Sequence, residues 1–322
     1  MKNSVALTTY NGEKYIEKQL DSIRNQTLPP DEVIIRDDCS IDKTPDIVKE
    51  YITRYSLNWD FRVNESNRGF FDNFFEAIRA CTGDVVYLAD QDDVWDLRKI
   101  ETFTTLYQSQ TIASMIQSNY IFIDGQGKTL RKKELYHGKP GSENVNTLST
   151  LDMFKCEGSG YTMSFRKEVA DVSFANRLDK KKDVYIYHEL LIGQAAAVVG
   201  NCYLLSKIVD SHRLHSDNET QKKGRSFLAN RTKKVQLDIL HNRVEQCKLW
   251  NEIVKETKKK AEIDKMRAFS NDRYRFIETK KISLLNSLIK RKDLYSSKKG
   301  LVTDIMYAFG LEKVLVFILS HM

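Results

Sequence analysis

Val85-Val86-Tyr87-Leu88-Ala89-Asp90-Gln91-Asp92-Asp93-Val94-Trp95 is the segment from which the remaining sequence is best understood. Five apolar or small residues run without polar alternation into three carboxylates within four positions, and a tryptophan closes the segment. Such an apolar run is the pattern of a strand buried on both faces of a parallel sheet. Its acidic end then falls at the carboxyl edge, where open α/β sheets bind ligands. Carboxylates this close repel one another unless a cation sits among them. An all-oxygen donor set suits a hard divalent ion, Mg²⁺ or Mn²⁺. The alternative is a solvated acidic turn in which Asp93 or Asp96 caps a helix beginning near Leu97.

Upstream, two more apolar runs end in polar residues. Ser4 to Tyr10 reads as a buried strand that stops at the turn signal Asn11-Gly12. Tyr15, Ile16, Leu20 and Ile23 recur at helical spacing, and this helix ends before Pro29-Pro30. Glu32 to Arg36 is a second strand, running into Asp37-Asp38. Thr44 is a candidate N-cap with Pro45 at the first helical position, opening a helix to about Tyr55. Phe61 to Val63 reads as a short strand, Asn67-Arg68-Gly69 as a turn and Phe70 to Cys81 as a helix. Alternation of strand and helix with short connections predicts a doubly wound, mostly parallel α/β sheet. Neither GxGxxG nor GxxxxGK[ST] occurs, which excludes the dinucleotide and Walker phosphate cradles. An aromatic ring, a carboxylate able to accept an N–H and an acid cluster at one sheet edge together suit a nucleoside diphosphate.

The 322 residues suffice for one main domain and an appendage. Five scattered cysteines, without a CxxC pair, suggest neither a disulfide framework nor a zinc site, and a reducing compartment is expected. The N-terminus carries no signal-peptide core and the chain no run long enough for a transmembrane helix, so a cytoplasmic protein is expected. The net charge of +7 conceals a split: residues 220–322 hold 24 Lys and Arg against 11 Asp and Glu, whereas the rest of the chain is net acidic.

Thr9-Tyr10-Asn11-Gly12, Asp37-Asp38-Cys39-Ser40-Ile41-Asp42-Lys43-Thr44, Asn67-Arg68-Gly69 and Asp90-Gln91-Asp92-Asp93-Val94-Trp95 resemble, in order and spacing, the motifs of family 2 glycosyltransferases. The resemblance implies a GT-A fold, with a metal-assisted, nucleotide-sugar-dependent transferase that inverts the anomeric centre. It implies a nucleotide site made of Thr9, Tyr10, Asn11, Asp38, Arg68 and Asp90, with Tyr10 and Asp38 at the base. Asp90 would face the ribose or a metal-bound water, and Asp92 would ligate the metal, Mn²⁺ or Mg²⁺. The ending Asp93-Val94-Trp95 is similar to that of bacterial rhamnosyltransferases and related polysaccharide-assembly enzymes.

Farther on, Ala113 to Asp124 reads as a strand, Gly125 to Lys128 as a hairpin turn and Arg131 to Asn146 as a polar loop. Gly158 to Phe165 joins a Gly-rich turn to a strand; in the family this position borders donor sugar and acceptor. Many family members have a general-base Asp after a His where this chain has His188-Glu189, so the resemblance assigns the base to Glu189. A first-turn acid favoured by the helix dipole is its structural alternative. After a strand over Asn201 to Val209, the resemblance matches His215 and Asn218 more closely than Arg213, and His215 becomes a further metal or diphosphate ligand.

Lysines and arginines from Lys222 onward punctuate helical stretches, and Leu301 to His321 suits a helix lying in a membrane interface. Nucleic acid is not expected as a partner, since only charge would support it. The sequence therefore divides into a GT-A domain over residues 1–219 and a basic helical extension over 220–322. Its expected partners are a UDP- or dTDP-linked sugar, a glycan acceptor of lipid-linked type and an anionic membrane surface. A sugar-1-phosphate nucleotidyltransferase and a non-catalytic nucleotide-binding module are the competing classes.

Overall fold

Residues 3–9, 32–37 and 85–90 form strands because their apolar side chains find cover on both faces of one sheet, and residues 60–63 add a more exposed strand at its edge. The computed structural model describes residues 1–130, 144–155, 159–176, 188–215, 232–297 and 299–315. β1 (Asn3–Thr9), β2 (Glu32–Asp37), β3 (Asp60–Val63) and β4 (Val85–Asp90) pair in parallel, in the spatial order β3-β2-β1-β4. α1 (Ile16–Arg24), α2 (Thr44–Arg54) and α4 (Lys99–Ser109) contribute Ile16, Leu20, Val48, Tyr51, Ile100 and Phe103 to a core with Val5, Leu7, Ile35 and Tyr87. α3 (Phe70–Ala80) packs on β1 and β2, with Phe74, Phe75 and Ile78 buried. Each such apolar side chain contributes roughly 1.5–3 kcal/mol when fully buried.

Beyond β4 the sheet becomes mixed. β9 (Met163–Arg166) lies antiparallel between β4 and β6 (Ala113–Ile123), and β10 (Asn201–Arg213) then runs parallel to β6. β5 (Val94–Trp95) pairs antiparallel with the end of β10, matching Asp210 with Trp95 and Ser211 with Val94. Parallel pairing with β6, matching His212 with Phe122 and Arg213 with Ile123, carries β10 four residues beyond the expected end at Val209 and places His212 and Arg213 on a strand rather than a loop. β7 (Thr129–Leu130) adds to β6 and β8 (Val145–Leu148) to β10. α6 (Lys167–Ala175) and α7 (His188–Val199) complete these elements.

Two local expectations shift. Thr44 is the first residue of α2 rather than its cap, and its hydroxyl accepts from the Gly12 N–H at 2.7 Å. Asp96 shapes the turn into α4, accepting from the Arg98 N–H at 2.9 Å, which leaves Asp93 for other partners.

The chain divides into two units. The first comprises Met1–Ser149, Gly158–Ala175 and Tyr187–Leu214, and the second takes the remainder. The division therefore falls five residues before the expected boundary at 219, and the second unit also recruits α5 (Thr150–Lys155). Its other helices are α8 (Lys233–Ile253), α9 (Thr257–Thr279), α10 (Ile282–Lys290) and α11 (Gly300–Ala308). They enclose Trp250, Phe269, Phe276 and Tyr307. A buried bidentate pair crosses this core: Arg273 donates to both oxygens of Asp304 at 2.7 and 2.9 Å, and Tyr295 Oη adds a third bond at 2.8 Å. The helix expected over Leu301 to His321 breaks after Ala308, because Gly310 turns the backbone at φ +72° and Leu311 N bonds back to Met306 O at 2.8 Å. Residues 316–322 lie outside the described residues, as do Lys222, Arg225 and Arg231. Among the described residues no helix is long and apolar enough to cross a membrane.

Candidate active site

The carboxyl ends of β1, β2 and β4 converge through side chains that bond the loops to one another. Thr9 Oγ1 donates to Asp37 Oδ2 at 2.7 Å, and the other Asp37 oxygen accepts from Ser40 N at 2.8 Å. Gln91 clasps the backbone of Tyr10, accepting its N–H at 2.7 Å and donating to its carbonyl at 2.9 Å. A Cβ on Gly12 would stand 2.2 Å from Gln91 Oε1, so this clasp requires glycine there. Asn11 adopts φ +49° and its side chain accepts from Ile41 N at 2.9 Å. Tyr10 itself remains 38% exposed, free to offer its ring at the edge.

Asp38 is buried and organises the loop after β3. Its carboxylate accepts from Arg68 N and Gly69 N, both at 2.8 Å, and from Asn64 Nδ2 at 3.0 Å. The Arg68 side chain points into solvent from that loop. Gly69 occupies φ +84°, a backbone region unfavourable to residues with a Cβ.

The acidic cluster lies beside these loops. Burial, with Asp93 and Asp92 close by, pushes the Asp90 carboxyl well above the usual range, and Glu189 adds to the like charge it feels. Asp93 Oδ1 accepts from His212 Nδ1 at 2.8 Å and from Arg213 N at 3.0 Å, whereas its Oδ2 has no hydrogen-bond partner among the described residues. Burial alone would lower the His212 pKa, but the Asp93 charge and hydrogen bond outweigh it and push the imidazole up to about 9. His212 also stacks flat on Tyr161, ring centroids 4.3 Å apart. Arg213 donates to the carbonyl of Asp92 at 2.8 Å and to that of Asp124 at 2.9 Å, with its guanidinium 4.9 Å from the Tyr15 ring.

Glu189 stands in the first turn of α7, next to the 3₁₀ turn Gly160–Thr162. A Cβ on Gly160 would lie 3.1 Å from His188 Nε2 and 3.9 Å from Glu189 Cβ, so the glycine admits α7 to the edge. His188 is buried against Phe74, rings stacked at 4.2 Å, and neither ring nitrogen has a hydrogen bond among the described residues. Its Nδ1 lies 3.1 Å from Glu189 Oε2 but out of hydrogen-bond alignment. Burial pushes the His188 pKa down to about 3, so the ring is neutral.

Thr9, Tyr10, Asn11, Asp38, Asp90, Asp92 and Glu189 thus belong to one unit, and the backbone of Arg68 joins them. His215 belongs to the second unit, and Asn218, Tyr185 to Tyr187 and most of the polar loop lie outside the described residues. Among the described residues no group of three or more His, Cys, Asp or Glu converges as a ready-made metal cage. The donor set still fits a hard divalent ion. Such an ion commonly takes one or two carboxylates and completes its shell with substrate phosphates and water, and Asp93 Oδ2 is a buried oxygen without a hydrogen-bond partner among the described residues. His212, Tyr161 and Asp210 were absent from the expected site. The sequence segment holding His212 pointed to the region, but only the pairing of β10 with β6 through Arg213 selects that histidine.

The family model described as Glycosyl transferase family 2 matches residues 4–173. An uncharacterized glycosyltransferase of Nostoc sp. is 26% identical over 220 residues, covering 68% of this chain and 66% of its own length. The poly(ribitol-phosphate) beta-N-acetylglucosaminyltransferase TarS of Staphylococcus aureus is 38% identical over 96 residues, 29% of this chain and 16% of TarS. The crystal structure of TarS 1–349 in complex with UDP-GlcNAc superposes with a TM-score of 0.63 at 20% identity, over 89% of this chain and 80% of that one. GalNAc-T7, solved with UDP, GalNAc and Mn²⁺, gives a TM-score of 0.50 at 14% identity over 67% of this chain and 44% of its own. These likenesses establish the GT-A fold.

The His212–Asp93 pair makes stability depend on pH. A histidine whose folded pKa is raised contributes fully below its unfolded value and loses the contribution as pH climbs through the folded one. In EDTA, His212→Gln should cost the protein on the order of 3 kcal/mol below pH 6.5, and the deficit should shrink progressively toward pH 9 and above. Chemical denaturation of both proteins across pH 5.5 to about 10 reads this difference; a deficit independent of pH would show that the pair is not ionised as described.

Proposed function

The chain belongs to glycosyl transferase family 2, and from that premise we propose that it transfers a sugar from a nucleoside diphosphate to an acceptor hydroxyl with inversion of the anomeric carbon. The observation that carries this reading is the meeting, at one sheet edge, of the Tyr10 and Asp38 loops, the Asp90–Asp93 cluster and Glu189. Tyr10 offers a ring for the base, and Asp38 holds the Arg68-Gly69 backbone with acceptor capacity left for a pyrimidine imide. Asp90 would face the ribose or a metal-bound water. Asp92 would hold Mg²⁺ or Mn²⁺; the ion, when bound, would supply positive charge to offset that of the departing diphosphate.

Glu189 takes the proton from the acceptor hydroxyl as its oxygen forms the new bond to the anomeric carbon and the bond to the diphosphate oxygen breaks. Attack from the face opposite the leaving group inverts the centre. His188, buried and neutral, is a poor base near neutral pH. A UDP-linked donor is favoured by the UDP-GlcNAc bound to TarS. The Asp93-Val94-Trp95 ending instead favours rhamnose and hence a dTDP-linked donor. Turnover of a panel of UDP- and dTDP-sugars decides between them, and turnover at all separates an enzyme from a non-catalytic module. A Gly-rich phosphate loop, the mark of a nucleotidyltransferase, is absent from the sequence.

The acceptor in this reading is a growing, lipid-linked surface glycan, and the second unit supports contact with an anionic membrane at its inner face. Residues 280–313 contain eight Lys and Arg against three Asp and Glu. Within them Ile282 is 74% and Phe309 55% exposed, with the Lys280 ammonium 5.6 Å from the Phe309 ring. Exposed apolar side chains interleaved with lysines match the headgroup boundary of an anionic bilayer, at about 1 kcal/mol per basic residue near the surface.

Replacing Glu189 by Gln should lower turnover on the order of 10²- to 10⁴-fold while donor affinity stays intact, and Glu189→Asp should retain partial activity. Wild-type turnover in Glu189→Gln, measured by nucleotide release, would move the base elsewhere. The full chain should co-sediment with vesicles containing phosphatidylglycerol, less so as salt rises. The variant Lys280→Glu/Lys281→Glu/Phe309→Ser should bind far more weakly; undiminished binding would remove this surface from the account.

A further inference from the structure

Lys99 opens α4 four residues after Trp95, and its side chain is completely buried. A buried ammonium is costly unless paired and hydrogen-bonded. Its Nζ donates to Asp210 Oδ1 at 2.5 Å and to the Tyr161 carbonyl at 2.8 Å, and lies 3.9 Å from the Trp95 ring centroid. The second oxygen of Asp210 accepts from the Ser118 hydroxyl.

These partners come from separate elements, and each continues into the site. Asp210 and His212 lie two apart on β10 and therefore project to the same side of the sheet. Tyr161, whose carbonyl Lys99 holds, is the ring on which His212 stacks. Trp95 follows Asp93 by two residues and pairs with Asp210 across β5 and β10. A single ammonium thus fixes the 3₁₀ turn, the end of β10 and the segment after the acidic cluster.

We infer that Lys99 is a positioning residue of the transfer site: by tying Asp210 to the Tyr161 carbonyl and the Trp95 ring, it seats His212 against Asp93 and keeps the acidic edge in register. Lys99 itself is buried behind the site and touches no substrate. The inference rests on the glycosyltransferase reading for its catalytic consequence, though not for its geometric one.

The test separates positioning from charge balance. Lys99→Met alone leaves Asp210 buried and unpaired, so a loss of folding there would be uninformative about the site. Lys99→Met/Asp210→Asn removes both charges with little change of shape, and should recover a melting temperature near wild type. The kcat of this double variant should nevertheless fall on the order of 10- to 100-fold, with donor KM nearly unchanged, because small misplacements of a catalytic edge are costly. The Nδ1–H proton of His212, seen by NMR in its bond to Asp93, should shift or vanish by exchange. Lys99→Arg, which keeps the charge on a bulkier fork, is the second variant and should move both readouts in the same direction. A folded double variant with wild-type kcat and an unshifted His212 proton would reduce Lys99 to a structural ion pair and overturn the inference. If the wild-type protein turns over no donor, the glycosyltransferase reading fails, and the His212 proton alone decides the geometric claim.

Discussion

Repulsion among Asp90, Asp92 and Asp93 is the constraint on which this structure turns. Three carboxylates within four residues at the end of one buried strand would disperse in water. Here burial of Asp90 and Asp93 intensifies their interaction. The chain answers with cations and donors from β10 and α4. The His212 imidazolium and the Arg213 backbone N–H bind Asp93, the Arg213 guanidinium holds the Asp92 carbonyl, and Lys99 secures β10 through Asp210. Asp90 keeps only the His212 charge against those of Asp93, Asp92 and Glu189, and one oxygen of Asp93 has no hydrogen-bond partner among the described residues. Those oxygens at a sheet edge are what an incoming divalent ion would meet.

The same constraint explains why the sheet changes character beyond β4. A purely parallel extension would leave the acidic turn without cover. Pairing of β5 with β10 folds the chain after Asp93 back onto a strand that carries Asp210, His212 and Arg213, so structural pairing and charge compensation are achieved together. The glycines serve this closure locally, Gly12 by making room for Gln91 and Gly160 by admitting His188 and Glu189.

Much of this was legible in the amino-acid sequence where local pattern determines structure. The unbroken apolar runs at Val5–Leu7, Val33–Ile35 and Val85–Ala89 mark fully buried strands, and Asp38, Asp90 and Asp92 lie within three residues of the ends of the last two. Lys99 was not legible, because in the doublet Arg98-Lys99 at a helix start it reads as a solvated base. His212 was not legible because nothing local extends β10 past Val209; pairing with the end of β6, some ninety residues earlier in the chain, does so. Asp38 carries a duty invisible in its motif, since the Arg68 and Gly69 amides it binds come from a loop 30 residues away. The early break of the last helix depends on the φ of Gly310, which a glycine permits without requiring.

The central claim is that the acidic edge is a metal-assisted nucleotide site with Asp92 at its focus. Isothermal titration of UDP and dTDP into the full chain, with EDTA and then with Mg²⁺ or Mn²⁺, tests it most directly. At least one nucleotide should bind, roughly tenfold or more tightly with the ion, since each ~1.4 kcal/mol of added interaction is a factor of ten; in Asp92→Ala that enhancement should disappear. Binding of either nucleotide that is equally tight in EDTA and in Asp92→Ala, or no binding of either to the wild-type chain under any of these conditions, would contradict the account.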